Sequence, residues 1–445
     1  MSKTKLLSLI IGVIISSCSQ DDLFNCVDSE DVIMSSNEKA INRYIEQRHP
    51  IKSRSNTRLI PIIQHGDTVA FLANYDEGWE LFSNNTSLPM VLMKSETGSF
   101  YPLDKDKKSP FESFYDNFIE DLSSRPVCEE TSAMWDFFSN DMEAQIQSSS
   151  GDWVGNACDF AESVYNPKGG RLKTQWGQGD YYNQSVPYYC DSTHIHSMVG
   201  CNAVALGQVL YHSNKYFGLP KSTVTTAIYD PEANQYNFSG DDAFVWSLMD
   251  SGEDESFKYN KEKMMPTAVF LGYIAKILDS YFGKYFPDVT SASPYACSIE
   301  IANRINVKTK LSNYSWDDII STLSMGYPCL SVSYLSIYGG HTYIIDEAKH
   351  TRETWYDVFS FNSPIDNGDI DDGESPDNDF LSLDDFRKKY GNISYEIVFV
   401  FNERWLRMNW GWDGLYNEVF INADNSLWKI GSSSFDSHYN CLIYK

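Results

Sequence analysis

The chain has 445 residues, 42% of them hydrophobic and 15% aromatic, with a formal net charge of −26. That length exceeds one small core and predicts two or three domains, and the composition excludes a disordered chain. The acidity excludes nucleic acid as a partner, because no basic stripe exists to replace counterions, and fits a soluble surface facing an extracellular medium.

Lys3 and Lys5 precede an apolar run from Leu6 to Ile15, followed by Ser16, Ser17 and Cys18. A charged start, a short apolar run and small residues before a cysteine resemble a bacterial lipobox. Cleavage is then expected after residue 17, with acylation of the Cys18 thiol. The run is too short for a stable membrane span, so the mature protein is expected to be secreted and anchored to the outer membrane, not integral to it. Ser19-Gln20-Asp21-Asp22 resembles the surface-export signal of some Gram-negative lipoproteins, which places the protein at the cell surface. An ordinary secretory leader with an incidental cysteine is the competing reading.

Residues 18–35 are polar and acidic, and read as a tether. Asn37 to Ile45 has a cap and apolar residues at helical spacing. Short strand-like runs follow at 59–63, 68–73, 79–82 and 90–93, with turns between them. They predict a small α+β unit over residues 36–145. A polar stretch through Ser148-Ser149-Ser150-Gly151 separates it from a second unit, residues 146–445.

In the second unit, Asn202–Phe217 has a helical pattern that Pro220 stops, and Thr267–Phe282 reads as another helix. Strand-like runs come later, at 329–334, 342–345, 397–401 and 418–421. Helices first and strands afterwards predict an α+β fold with two lobes and a crevice between them. The Asp-, Asn- and Gly-rich stretch 363–374 lacks the glycine spacing of an EF-hand and reads as a solvated loop, with an irregular calcium site as the alternative. Nine cysteines, at 18, 26, 128, 158, 190, 201, 297, 329 and 441, form no CxxC pair. Without a lipid-bearing Cys18 and a free nucleophile an odd number remains, which fits no full disulfide framework.

The chemistry is carried by a few positions. Cys201 opens the apolar helix pattern, where unpaired backbone N–H groups and the helix dipole favour a thiolate; its competing reading is a buried structural cysteine. His341 follows Gly339-Gly340 at the start of an apolar strand, a setting that holds an imidazole rigidly. Asn409 precedes Trp410-Gly411-Trp412: its amide is suited to accept from the imidazole, with the Trp410 indole as a shield. The alternative is an aromatic-rich strand and turn. Gln178 lies upstream of Cys201 as a candidate oxyanion donor, with Gln175 and Gln184 as rivals. Cys190, His194, His196 and Cys201 do not have a recognised zinc-ligand spacing, so neither metal nor cofactor is expected. His212, within the helix, reads as packing or surface.

The ordered set Trp176-Gly177-Gln178…Tyr182-Asn183, Gly200-Cys201-Asn202-Ala203-Val204-Ala205, Gly340-His341-Thr342 and Asn409-Trp410-Gly411-Trp412 resembles the streptopain family of papain-fold cysteine peptidases, made as secreted zymogens. The resemblance spans residues 170–420. It implies a papain-like two-lobed domain, a helical lobe and an antiparallel β lobe, behind an inhibitory propeptide. It also implies Cys201 as nucleophile, His341 as general base and acid, Asn409 as orienter, Trp410 as shield and Gln178 as oxyanion donor. Protein or peptide substrates, with an apolar residue favoured just before the scissile one, are implied likewise. Residues 74–100, with Gly78-Trp79-Glu80-Leu81-Phe82-Ser83, resemble the family's propeptide, which would act as an intramolecular inhibitor. Activation is expected to cut a linker around residues 140–165. The chain departs from the family at Tyr181, where proline is usual, at Tyr343, where tryptophan is common, and at Glu347, where glycine is usual. A silent adhesion or peptide-binding module on the same fold, and acyl transfer to an amine, are the alternatives.

Overall fold

The computed structural model describes residues 34–49, 57–101, 109–124, 133–139, 152–179, 181–190, 195–219, 225–230, 235–243, 246–257, 260–282, 290–335, 339–360, 381–424 and 439–444. Cys18, the tether up to residue 33, His194 and the Asp-rich stretch 363–374 lie outside them.

The amino-terminal unit begins with α1 (Ser36–Arg48), which Ser35 and Glu38 start with a reciprocal capping box. Four strands follow: β1 (Leu59–Gln64), β2 (Asp67–Asn74), β3 (Trp79–Ser83) and β4 (Val91–Ser95). His65 and Gly66, both at positive φ, make the two-residue turn between β1 and β2, as the twist of an antiparallel hairpin requires. Helices α2 (Pro110–Ser124) and α3 (Ala133–Ser139) complete the unit.

The second unit opens with β5 (Asp152–Tyr165) and the short pair β6 (Tyr188–Cys190) and β7 (Ile195–His196). Helix α4 (Cys201–Phe217) comes next, then the hairpin β8 (Thr225–Asp230) and β9 (Gln235–Ala243). Helix α5 (Lys261–Ile277) begins six residues before the position expected from periodicity. Asn260 caps it through its side chain, and Pro266 is tolerated inside. It ends early because Asp279 turns left-handed, which leaves Tyr281–Phe282 as β10, paired with β11 (Thr290–Ser291). Then come α6 (Pro294–Ile305), β12 (Lys308–Asn313), α7 (Trp316–Ser324) and β13 (Cys329–Leu335). The chain closes with β14 (Gly339–Ser360), α8 (Leu383–Tyr390), β15 (Ile393–Asn409), β16 (Val419–Asn422) and β17 (Tyr439–Tyr444).

One 11-stranded sheet runs through both units in the order β1-β2-β3-β4-β16-β15-β14-β13-β17-β12, with β5 paired to β14 off that path. Strand β4 joins the units: Met93, Lys94 and Ser95 pair antiparallel with Ile421, Phe420 and Val419. Two hydrophobic cores also cross the boundary. One packs Trp79, Phe100, Phe111, Phe114 and Phe118 with Trp410, Met408 and Ile345, and the other packs Tyr44, Phe82 and Trp135 with Trp355, Trp405 and Phe420. The helical lobe has its own core: Leu206 and Val209 of α4, Leu271 and Ile274 of α5 and Ile301 of α6 close over Leu330, Val332 and Ile344 of the sheet.

Strands β14 and β15 extend well past the lengths their apolar runs indicate. They form a long arm on which β5 lies along β14 from Ala348↔Tyr165 to Ser360↔Asp152. This corrects the expected linker. Residues 152–165 are hydrogen-bonded strand, whose backbone is not free for a protease to engage, and residues 140–151 lie outside the described residues.

Candidate active site

Helix α4 starts at Cys201 because Gly200, at φ 93°, turns the chain through a conformation that side chains disfavour. No side chain caps this end, and Ala203 N–H donates to the Gly200 carbonyl at 3.1 Å. Strand β14 carries His341 opposite Ser333 of β13. Burial opposes ionisation of the Cys201 thiol, but the adjacent His341, by charge and hydrogen bond, outweighs it together with hydrogen bonds from Thr342. The Cys201 pKa is therefore held below the ordinary thiol value.

The other ring nitrogen of His341 is fixed by the main chain. His341 Nε2 lies 2.8 Å from the carbonyl oxygen of Trp410, which leaves Nδ1 for the thiol. The Trp410 indole stacks near the imidazole, with ring centroids 6.3 Å apart at 23°, and is almost wholly buried. That is where a shield would stand.

Asn409 does not meet the imidazole. Its Nδ2 donates to the carbonyl of Thr174 at 2.9 Å and to Gln208 Oε1 at 3.3 Å, while its Oδ1 accepts from Gln208 Nε2 at 3.3 Å and Gly411 N–H at 3.1 Å. Gln208 lies seven residues after Cys201, on the same face of α4. The amide therefore ties the strand end that carries Trp410 to the helix that carries the thiol. The expected orienting bond is made instead by the Trp410 carbonyl, because the alternation of β15 turns the Asn409 side chain toward α4.

Gln178 is buried, and its carbonyl accepts from Val199 N–H at 2.9 Å, which fixes its segment two residues upstream of Cys201. Of its rivals, Gln175 packs against Gly414, and Gln184 Nε2 donates to Asn183 Oδ1 at 3.1 Å. Gly177 makes room for Asp413: a Cβ there would overlap that carboxylate and displace it.

Several supporting groups had no signal in the sequence. Asn202 Oδ1 accepts from Thr342 Oγ1 at 2.9 Å and its Nδ2 donates to the Ala292 carbonyl at 3.1 Å, which pins the start of α4 to β14. A β-bulge between Ile345 and Glu347 aims two consecutive carboxylates inward. Arg407 donates to both oxygens of Asp346 at 2.7 Å and to Glu418 Oε1 at 2.7 Å. Arg171 binds Glu347 through Nε at 2.5 Å and Nη2 at 2.9 Å, and Leu172 N–H donates to Asp346 at 2.9 Å. This network anchors the 171–178 segment to the strands that bear His341 and Asn409. It also accounts for Glu347, the departure from the family glycine. A second departure, Tyr343, packs on Trp410 with centroids 5.3 Å apart.

His212 and His196, outside this site, have main-chain partners. His212 Nε2 lies 3.2 Å from the Gly326 carbonyl, and burial lowers its pKa to about 4. His196 Nδ1 lies 2.6 Å from the Val186 carbonyl. Among the described residues no group of three or more His, Cys, Asp or Glu side chains is arranged to hold a metal ion, and no helix is long and apolar enough to cross a membrane. Cys158 and Cys201 stand outside any disulfide.

The amino-terminal unit lies against this site. Phe111 and Phe114 of α2 pack on the Trp410 indole at centroid distances of 5.5 and 5.3 Å, and Tyr416 OH lies 3.2 Å from Glu112 Oε1.

Among solved structures, the chain is similar to a prointerpain A fragment from Prevotella intermedia, at 16% identity and a TM-score of 0.49, covering 87% of this chain and 98% of that one. It is also similar to active wild-type interpain A, a cysteine protease of the same organism, at 16% identity and a TM-score of 0.38, covering 63% of this chain and 94% of that one. No curated protein matches the chain. The sequence model of the peptidase C10 family matches residues 176–420, a span that holds the thiol, the imidazole, the Trp410 carbonyl and Gln178, and the chain belongs to that family of cysteine peptidases.

Proposed function

We propose that the protein is a cysteine endopeptidase made as a zymogen, secreted, and anchored at the cell surface through Cys18. The observation that carries the mechanism is the buried thiol whose pKa His341 lowers while the Trp410 carbonyl holds the far side of the ring. Cys201 Sγ attacks the scissile carbonyl carbon. The oxyanion is held by the first-turn N–H groups of α4 and by the Gln178 amide. The C–N bond breaks as the imidazolium gives its proton to the leaving amine. A water molecule, deprotonated by the imidazole, then attacks the thioester; the product acid leaves and the thiol is restored.

The packing of Phe111 and Phe114 on Trp410, and the pairing of β4 with β16, support the amino-terminal unit as the inhibitor. Activation then requires a cut within residues 140–151. Amino-terminal sequencing of the processed protein, beside a peptide-library cleavage assay, tests this reading. A new terminus in that window and turnover that Cys201→Ala abolishes support it; processed wild-type protein that turns over no peptide and takes up no thiol-directed label overturns it. A Cys201→Ala preparation that still matures in isolation excludes self-processing.

A further inference from the structure

The arm formed by β14 and β15 turns one face toward the amino-terminal unit, and its register places six side chains on that face. Glu353 stands opposite Phe401, Trp355 opposite Phe399, and Glu403 one step along opposite Thr351. Into this recess the amino-terminal unit inserts Arg48 of α1, with Lys94 of β4 beside it over the Trp405 ring at 4.1 Å. The Arg48 guanidinium forks onto the Glu353 carboxylate, Nη1 to Oε1 at 2.5 Å and Nη2 to Oε2 at 2.7 Å. Its Cζ lies 5.1 Å from the centroid of Phe401. Trp355 Nε1 donates to Glu353 Oε2 at 3.2 Å and holds that carboxylate in place.

The recess has more anionic capacity than Arg48 uses. Glu403 is 6% exposed and its Oε1 has no hydrogen-bond partner, although its charge acts on both Arg48 and Glu353. A cavity of about 710 Å³ opens beside it, lined by Glu403, Phe399, Phe401 and Asn402 of the arm and by Pro89 and Met134 of the amino-terminal unit. Glu353, Glu403 and the Trp355, Phe399 and Phe401 rings belong to the second unit, whereas Arg48 and the Tyr44 ring, 4.9 Å from its Cζ, belong to the first. A planar fork on one carboxylate, a π face and a second acceptor select a guanidinium over an ammonium.

We propose that this recess is a guanidinium-binding exosite of the peptidase: Arg48 occupies it in the uncleaved chain, and an arginine side chain of a protein substrate occupies it once the amino-terminal unit has gone. The substrate half rests on the peptidase reading above; the binding half does not. The net charge of −26 draws cationic partners toward the surface, and the recess adds the choice among them.

Chemical rescue in the full chain tests the binding half. In a Cys201→Ala chain that also carries Arg48→Ala, N-ethylguanidinium at millimolar concentration is expected to raise the melting temperature saturably by ~3 °C. Ethylammonium is expected to do so far less. Adding Glu353→Gln should remove the saturable response, and Glu403→Gln, which removes a carboxylate whose Oε1 holds no hydrogen bond, should weaken it. Equal responses to the two cations, or a response that survives Glu353→Gln, overturn the proposal. On the processed enzyme, a labelled tetra-arginine peptide is expected to bind ~10-fold tighter than tetra-lysine, and both Gln variants should erase that difference while a short peptide is still turned over. Loss of short-peptide turnover in the wild type would count against the peptidase reading alone. Tetra-arginine binding that the Gln variants leave intact would sink the exosite.

Discussion

His341 is held by the carbonyl of Trp410, not by the side chain of Asn409, at an Nε2–O distance of 2.8 Å. A main-chain acceptor cannot be exchanged by mutation, and it gives the ring a fixed partner wherever the strand end is fixed. The substitution Asn409→Ala should therefore act through position. It takes away the partner of the buried Gln208 Nε2 and of the Thr174 carbonyl, at a cost of ~2 kcal/mol of stability, and lowers turnover as the strand end shifts. The acid limb of the pH–rate profile should stay where it is. A limb displaced by a full unit would mean that the amide acts on the imidazole after all.

The second expectation concerns the thiol. Its folded pKa is depressed, so the thiolate fraction rises at a lower pH than for an ordinary thiol near about 8.5. As pH falls through the depressed value the thiolate is protonated and reactivity is lost. The rate of alkylation by iodoacetamide, followed against pH in the processed enzyme, should show its limb below the ordinary value. In His341→Ala the opposing burial term is left without its main counterweight, and the limb should move upward by at least ~1 unit. Superimposable limbs would refute the pairing.

Much of this site was legible because each group sits at an element boundary with a local signature. Gly200 before an apolar helix marked Cys201, Gly339-Gly340 marked His341, and the Trp-Gly-Trp run marked the strand end. Side-chain direction was not legible. Whether Asn409 or the next carbonyl meets the ring depends on which way β15 alternates relative to α4, and that is set by the Ile344↔Asn409 register. The bulge at Ile345/Glu347 was equally hidden, since a single extra residue leaves no periodic trace. The strands of the amino-terminal unit were read from their alternation, yet their continuation into the peptidase sheet was not. Pairing of β4 with β16 joins residues more than three hundred positions apart. The arm extends past its apolar runs for a related reason: its buried face carries Glu353 and Glu403, charged residues where a half-buried strand shows apolar ones.

Phe111 and Phe114 give the third prediction. Both are fully buried, and both pack on the indole that stacks near His341. Truncating either to alanine removes ~3–5 kcal/mol of packing from the boundary between the units. The full-length Phe111→Ala/Phe114→Ala chain should convert to the processed form faster. Its Cys201 should also be alkylated faster before conversion, because the cover loosens without being cut. Unchanged alkylation of the intact chain would show that α2 contributes packing only.

Arg407 carries the last prediction. It is buried, donates to both oxygens of a wholly buried Asp346, and reaches Glu418 as well. Asp346 is pushed above the usual carboxylate range by burial, which the guanidinium only partly offsets. Removing the cation with Arg407→Ala leaves that carboxylate alone in the interior, at a cost of ~3–5 kcal/mol. Below the raised pKa the stranded group is protonated and the penalty is relieved, so the deficit relative to wild type should shrink as pH falls. Because Asp346 also accepts from Leu172 N–H, the 171–178 segment should loosen too, and turnover should fall through misplacement of Gln178. Replacing both partners, as Arg407→Met with Asp346→Leu, removes the stranded charge and should recover most of the stability. It should not recover the turnover, since no acceptor then holds Leu172. Urea unfolding at two pH values, alongside kcat for a short peptide, separates the two effects. A double variant that regains full activity would show that the network stabilises the fold without positioning the site.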